Sequence, residues 1–173
     1  MRHVALIGMM GSGKSTVGRR VAALTGREFV DLDDAIVARE GTSIPDIFAT
    51  DGEAAFRGAE FEALVAVLAR TDPVVVATGG GVVMTAACRE LLDRGADVVW
   101  LRTSPTCLAG RVGDGRGRPL LSGEDPATVL RRLADDREPF YAATADVVVD
   151  TDGLTVDAVA ELVVSRLASE ATT

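Results

Sequence analysis

Lysine is almost absent from this sequence. Of eighteen Lys+Arg in 173 residues, Lys14 is the one lysine and the rest are arginine. Cysteine is nearly as scarce. Cys88 and Cys107 have no CxxC spacing, and a chain with one histidine offers them no His-rich neighbour. These counts exclude a disulfide framework or a zinc site and point to reduced thiols in a cytosolic protein. Positive charge is in deficit. A formal net charge of −8 and a pI near 4.7 argue against nonspecific binding to nucleic acid or an anionic membrane. A small anionic ligand stays compatible, because arginines can converge in one cleft. Long apolar runs are missing too. VVVATGGGVVM is far shorter than a membrane span and is cut by three glycines. MRHVALIGMM begins basic and turns apolar as a secretory signal does, but it breaks into GSGK without a small-x-small cleavage site. Residues 3–8 read instead as a buried strand, and a cytoplasmic protein is expected. No internal repeat or disordered linker interrupts the chain, so 1–173 reads as one domain with a sizeable core.

What is present is an alternation of strands and helices. Strands are expected at 3–8, 29–31, 74–77, 97–101 and 147–149. Helices are expected at 14–24, 33–40, 44–49, 53–70, through 91–94, after Ser104-Pro105, up to about 143, and at 154–168. Val17, Val21 and Leu24 mark one helix face. Phe61, Leu64, Val65 and Leu68 mark another, and Val156, Val159, Val163 and Leu167 a third. The run VVVA at 74–77 is continuous and β-branched, as a strand buried on both faces should be. This alternation predicts an α/β fold, a five-stranded parallel sheet between two helical layers.

Residues 8–15, GMMGSGKS, fit the phosphate-binding pattern G-x-x-x-x-G-K-[ST] and lie between an apolar strand and a helix. Glycines there let successive N–H groups turn toward phosphate oxygens, helped by the helix N-terminus. The candidate nucleotide ligands are Gly11, Ser12, Gly13, Lys14, Ser15 and Thr16. Ser15 supplies a hydroxyl for Mg²⁺. Lys14 must reach between two phosphates as a compact point charge. A planar guanidinium is bulkier and suits flat, bidentate partners. That explains why an arginine-biased chain keeps lysine here.

No NKxD stretch reads guanine, no strand end resembles a GTPase switch, and the chain is short for a motor. A kinase would need acceptor-binding groups at the carboxyl ends of the strands and a basic lid. Three stretches offer acceptor groups. In DLDD, Asp31 and Asp33 can order the water shell of a metal and accept a hydrogen bond from an attacking hydroxyl, while Asp34 reads as a helix-capping acid. In FATDGEAAFRGAE, Phe48 and Phe56 can wall an apolar cleft beside Arg57. Gly79, Gly80 and Gly81 let the main chain approach a ligand closely. The loop 113–123, GDGRGRPLLSG, has the composition of a mobile lid. Trp100 and Tyr141 read as packing residues.

DLDD, FATDGEAAFRGAE, ATGGG, GRGRPL and REPFY, in this order after the phosphate loop, resemble the shikimate kinase family from about residue 1 to 150. The resemblance implies a P-loop fold of the nucleoside monophosphate kinase type. It implies transfer of the γ-phosphoryl group of ATP to the 3-hydroxyl of shikimate, with Mg²⁺ as cofactor. Asp33 matches the aspartate nearest the attacking oxygen, and Asp31 the one on the metal's water shell. Arg57 and Arg137 match the arginines that hold the carboxylate, and Gly79 to Gly81 the triplet that meets the substrate. Arg118 matches the lid arginine on the ATP phosphates, and Arg111 the one beside adenine. The acceptor segment would span about 33–61, in a cytoplasmic protein expected to be monomeric. DTDGLTVDA, after the fifth strand, lacks the family's arginine or proline near adenine. A gluconate kinase of the same fold, and a nucleotide switch without chemistry, are the competing readings.

Overall fold

The computed structural model describes residues 2–112 and 125–170. Five parallel strands form one sheet: β1 His3–Ile7, β2 Glu28–Asp31, β3 Val74–Ala77, β4 Ala96–Arg102 and β5 Val147–Asp150, in the order β2-β3-β1-β4-β5. Successive side chains of a strand take opposite faces, and on the central strands β1 and β3 both faces are buried. Val4, Leu6 and Val75 pack under helices α1 Lys14–Thr25 and α8 Val156–Glu170. Ala5, Ile7, Val74, Val76 and Trp100 pack under the other layer. That layer is built from α2 Leu32–Glu40, α3 Ile44–Thr50, α4 Gly52–Leu68, α5 Ala86–Gly95, α6 Pro105–Val112 and α7 Pro126–Thr144. The three-layer α/β architecture is therefore as expected.

Three helix faces differ in detail from the spacing argument. On α4 the buried residues are Phe56, Glu60, Ala63, Leu64 and Val67, whereas Val65 is exposed. The buried stripe is rotated and includes a carboxylate that an apolar pattern passes over. Leu24, in the last turn of α1, and Val156, at the start of α8, also lie exposed. Beyond the glycine triplet, a short 3₁₀ turn at Val82–Met84 precedes α5.

The strand order places the phosphate loop at the centre of the sheet. β1 lies between β3 and β4, and the chain reverses direction across the sheet there. In such sheets the crevice outside the carboxyl ends of the strands is the binding position. The loop after β1, the start of α2 after β2 and the glycines after β3 all open into it. Cys88 and Cys107 are free; burial pushes the Cys88 thiol up to about 11, which keeps it inert.

Candidate active site

The loop after β1 is shaped by its last glycine. Gly13 has φ 93°, a left-handed conformation that favours glycine, and caps α1 without a side-chain hydrogen bond. The first-turn N–H groups of α1 are thus left for a ligand. Lys14 is buried, and its Nζ donates to the carbonyls of Gly8 at 2.7 Å and Met9 at 2.9 Å. The loop's own main chain holds the ammonium over its concavity. Ser12 differs from its neighbours. It is buried, its Oγ has no hydrogen-bond partner, and its side chain does not line the cleft. It can reach a phosphate only through its main chain.

Ser15 Oγ donates to Asp31 Oδ2 at 2.6 Å. The other carboxylate oxygen, Asp31 Oδ1, accepts from the Asp33 N–H at 3.1 Å and caps α2. The cap is therefore Asp31 rather than Asp34, which sits one position beyond Asp33 in the first turn. Ser15 and Asp31 together present hard oxygen donors of the type Mg²⁺ takes. Among the described residues no group of three or more His, Cys, Asp or Glu could enclose a metal alone.

Asp33 is exposed where it opens to the cleft, and the surrounding protein desolvates it only in part. That desolvation, with the negative charge of Asp31, raises its pKa; Lys14 opposes the shift. A Cβ on Gly79 would lie 3.6 Å from Asp33 Oδ1 and would overlap Glu60 Oε1. The aspartate thus faces the glycine triplet across the site.

The cationic side is built by α4 and α7. Arg57 Nη1 meets Glu60 Oε2 at 2.8 Å, and Nη2 meets Glu53 Oε1 at 3.1 Å. Burial works against the Arg57 charge, but Glu60 and Glu53 outweigh it and raise its pKa. Glu60 is fully buried with Oε1 unpartnered, and desolvation raises its own pKa despite Arg57. The Arg57 guanidinium lies so close to Gly81 that a Cβ there would overlap it. Arg137, also buried, donates from Nη1 to the Gly80 carbonyl at 3.0 Å. The two arginines, eighty positions apart in sequence (57 and 137), therefore rest on adjacent glycines. Phe48 and Phe56 pack in a tilted arrangement with ring centroids 4.8 Å apart and line the same cleft of about 640 Å³.

The fold thus gathers Lys14, Ser15, Asp31, Asp33, Phe48, Phe56, Arg57, Arg137 and Gly79 to Gly81 around one cleft. Arg111 is exposed on α6, its Nη1 3.4 Å from the Gly11 carbonyl, and does not line that cleft. Arg118 and the expected lid at 113–123 lie outside the described residues. Glu60 was missed by motif reading. Its signal was a charge three residues after Arg57, on the side of α4 where Phe56, Ala63 and Val67 are buried. Chemically, the cleft offers a phosphate cradle, a carboxylate of raised basicity and a pair of fixed guanidiniums.

The family model for shikimate kinase matches residues 10–168. A shikimate kinase of Halorhodospira halophila is 47% identical over 165 residues, covering 95% of this chain and 93% of that protein. The structure of shikimate kinase from Acinetobacter baumannii in complex with shikimate superposes with a TM-score of 0.95 at 36% identity, covering 98% of this chain and 94% of that one. A gluconokinase from Sinorhizobium meliloti 1021 superposes with a TM-score of 0.61 at 22% identity, over 99% and 95% of the two chains, which is a likeness of fold alone.

Proposed function

The chain belongs to the shikimate kinase family, and on that premise we propose that its cleft transfers the γ-phosphoryl group of ATP to the 3-hydroxyl of shikimate. The products are shikimate 3-phosphate and ADP, a step of aromatic amino acid biosynthesis by way of chorismate. One observation carries the reading to this acceptor: Arg57 and Arg137 rest on adjacent glycines opposite Asp33, which suits an acid bearing ring hydroxyls.

Each residue takes the role its chemistry supports. The N–H groups of 11–16 and the Lys14 ammonium bind the ATP phosphates. Ser15 and, through a metal-bound water, Asp31 would hold Mg²⁺, which would supply charge neutralisation on those phosphates. Asp33 accepts the hydrogen bond of the attacking hydroxyl, and its raised pKa fits a group that must take a proton. Arg57 and Arg137 hold the carboxylate, while Phe48 and Phe56 wall the ring. Residues 33–61 form the acceptor segment of one kinase domain, 1–173. We assign the phosphate-binding lid to 113–123 with Arg118, which lie outside the described residues, and adenine to Arg111. No helix among the described residues is long and apolar enough to cross a membrane. We place the protein as a cytoplasmic monomer acting on ATP and shikimate; Cys88 and Cys107 are free thiols. The test is ADP release coupled to added hydroxy acids. Release dependent on shikimate supports the assignment, and faster turnover with gluconate overturns it.

A further inference from the structure

We propose that Tyr141 is a positioning residue for the acceptor: its hydroxyl, with Arg137, fixes the Gly80–Gly81 peptide against which the bound acid is seated. The inference rests on the shikimate kinase reading of the cleft. Tyr141 follows Arg137 by four residues on α7, so both project from one helix face. Its hydroxyl donates to the Gly80 carbonyl, the same oxygen that accepts from Arg137 Nη1. A carbonyl has two lone pairs, and these two donors occupy both.

The surroundings show why the turn needs such an anchor. Residues 79–81 have no side chains to hold them. The Gly79 carbonyl accepts from Val82 N–H at 3.3 Å and the Gly81 carbonyl from Met84 N–H at 2.9 Å. The middle carbonyl, that of Gly80, depends on α7. No peptide bond among the described residues is cis. In a planar trans peptide, fixing the Gly80 oxygen also fixes the Gly81 N–H, which points away from Tyr141. Gly81 is the residue that bears against Arg57. One hydroxyl thereby sets the register between the two arginines.

Tyr141 can hold this position because its ring cannot swing. It is buried and stacks on Trp100 with centroids 5.5 Å apart and an interplanar angle of 21°. The ring faces a second cavity and does not line the acceptor cleft, so it acts through Gly80 rather than on the substrate. Burial pushes the phenol up to about 12, so it remains a donor across the working range of pH.

Tyr141→Phe removes the hydroxyl and keeps the ring. The KM for shikimate should rise about three- to tenfold, the worth of one neutral hydrogen bond, with KM for MgATP and kcat within twofold of wild type. Trp100→Phe keeps an aromatic face against Tyr141 and does not touch Gly80, but trims the surrounding core; it should lower Tm and leave the shikimate KM within twofold. Tyr141 is also the chain's single tyrosine. Protein grown with 3-fluorotyrosine therefore carries one ¹⁹F probe, whose resonance should shift on adding shikimate and not on adding MgATP alone. This second measurement needs no mutant and stands if the Phe variant fails to fold. An unchanged shikimate KM in Tyr141→Phe, a parallel rise for both substrates, or a ¹⁹F signal indifferent to shikimate reduces Tyr141 to a packing residue. Failure of the wild type to phosphorylate shikimate overturns instead the functional reading beneath it.

Discussion

Asp33 is kept at a cost to the folded state. Its pKa is raised by desolvation first and by Asp31 next, so the folded protein binds its proton more tightly than the unfolded chain does. Stability from this group is fully present when pH lies below the ordinary aspartate range. It is lost as pH climbs from there through the raised value. Asp33→Asn should therefore raise Tm at pH 7 relative to wild type, with the gap closing in acid. The same change should lower kcat about 10²- to 10⁴-fold, because an amide cannot accept the proton. Thermal unfolding as a function of pH and single-turnover rates check the two halves; a lower Tm at pH 7 would contradict the electrostatic account. Lys14 poses the opposite problem. It is seated against two carbonyls at 2.7 and 2.9 Å in a buried position. Both Lys14→Met and Lys14→Arg should cost about 10²–10³ in kcat, as the loss of a group aimed at developing charge does. Turnover of the arginine variant near wild type would show that charge alone matters there.

At the scale of elements, α4 and the glycine turn must be considered together. Arg57 and Glu60, three apart on α4, press on Gly81 and Gly79. Gly81 has φ −106° and ψ 2°, a conformation any residue can adopt. Its need for glycine is one of space, and the atoms in the way are the mobile end of an arginine. Gly81→Ala should accordingly fold with about 1 kcal/mol or less of lost stability, yet raise the shikimate KM about tenfold or more by displacing one charge-assisted donor. Glycine and alanine proteins with equal shikimate KM would show that Arg57 does not use that position. The strands, the phosphate loop and DLDD were legible because they rest on local chemistry: β-branched runs, a strand–glycine–helix junction, acids at a helix start. The α4 face was not. Its buried stripe contains Glu60, whose ion pair with Arg57 is local but whose burial depends on the glycine turn at 79–81, distant in sequence and packed against it. The Tyr141–Gly80 contact was hidden for the same reason, since it joins residues sixty-one positions apart. Asp31 as the cap of α2, in place of Asp34, turns on where the chain leaves the extended conformation, Asp31 having ψ 121°, which spacing does not specify.

The molecule as a whole carries a net charge of −8 and, in this reading, must bind two anions. It does so by bringing arginines from opposite halves of the chain to one turn: Arg57 from α4 and Arg137 from α7. If both serve one carboxylate, the enzyme should discriminate strongly against an analogue of shikimate with a neutral amide or hydroxymethyl group in its place. Each charge-assisted hydrogen bond lost costs about 1.5–3 kcal/mol, or roughly one to two decades in kcat/KM. Arg57→Lys and Arg137→Lys should each weaken shikimate although charge is retained, because an ammonium cannot reproduce the planar pair of donors. The two sites also differ in what they leave behind. Arg57→Lys keeps Glu60 paired only if the shorter-branched ammonium still reaches Oε2, so it should lose stability as well as affinity, the cost of a buried carboxylate left alone being about 3–5 kcal/mol. Arg137→Lys leaves the Gly80 carbonyl its bond from Tyr141 and should lose affinity more than stability. The double variant should lose less than the product of the singles, since both arginines act on one group. These comparisons need kcat/KM for shikimate and for the neutral analogue, with Tm, in wild type and the three variants. Independent, multiplicative losses would mean that the two guanidiniums bind different parts of the substrate, and equal use of both substrates by the wild type would remove the carboxylate from the site altogether.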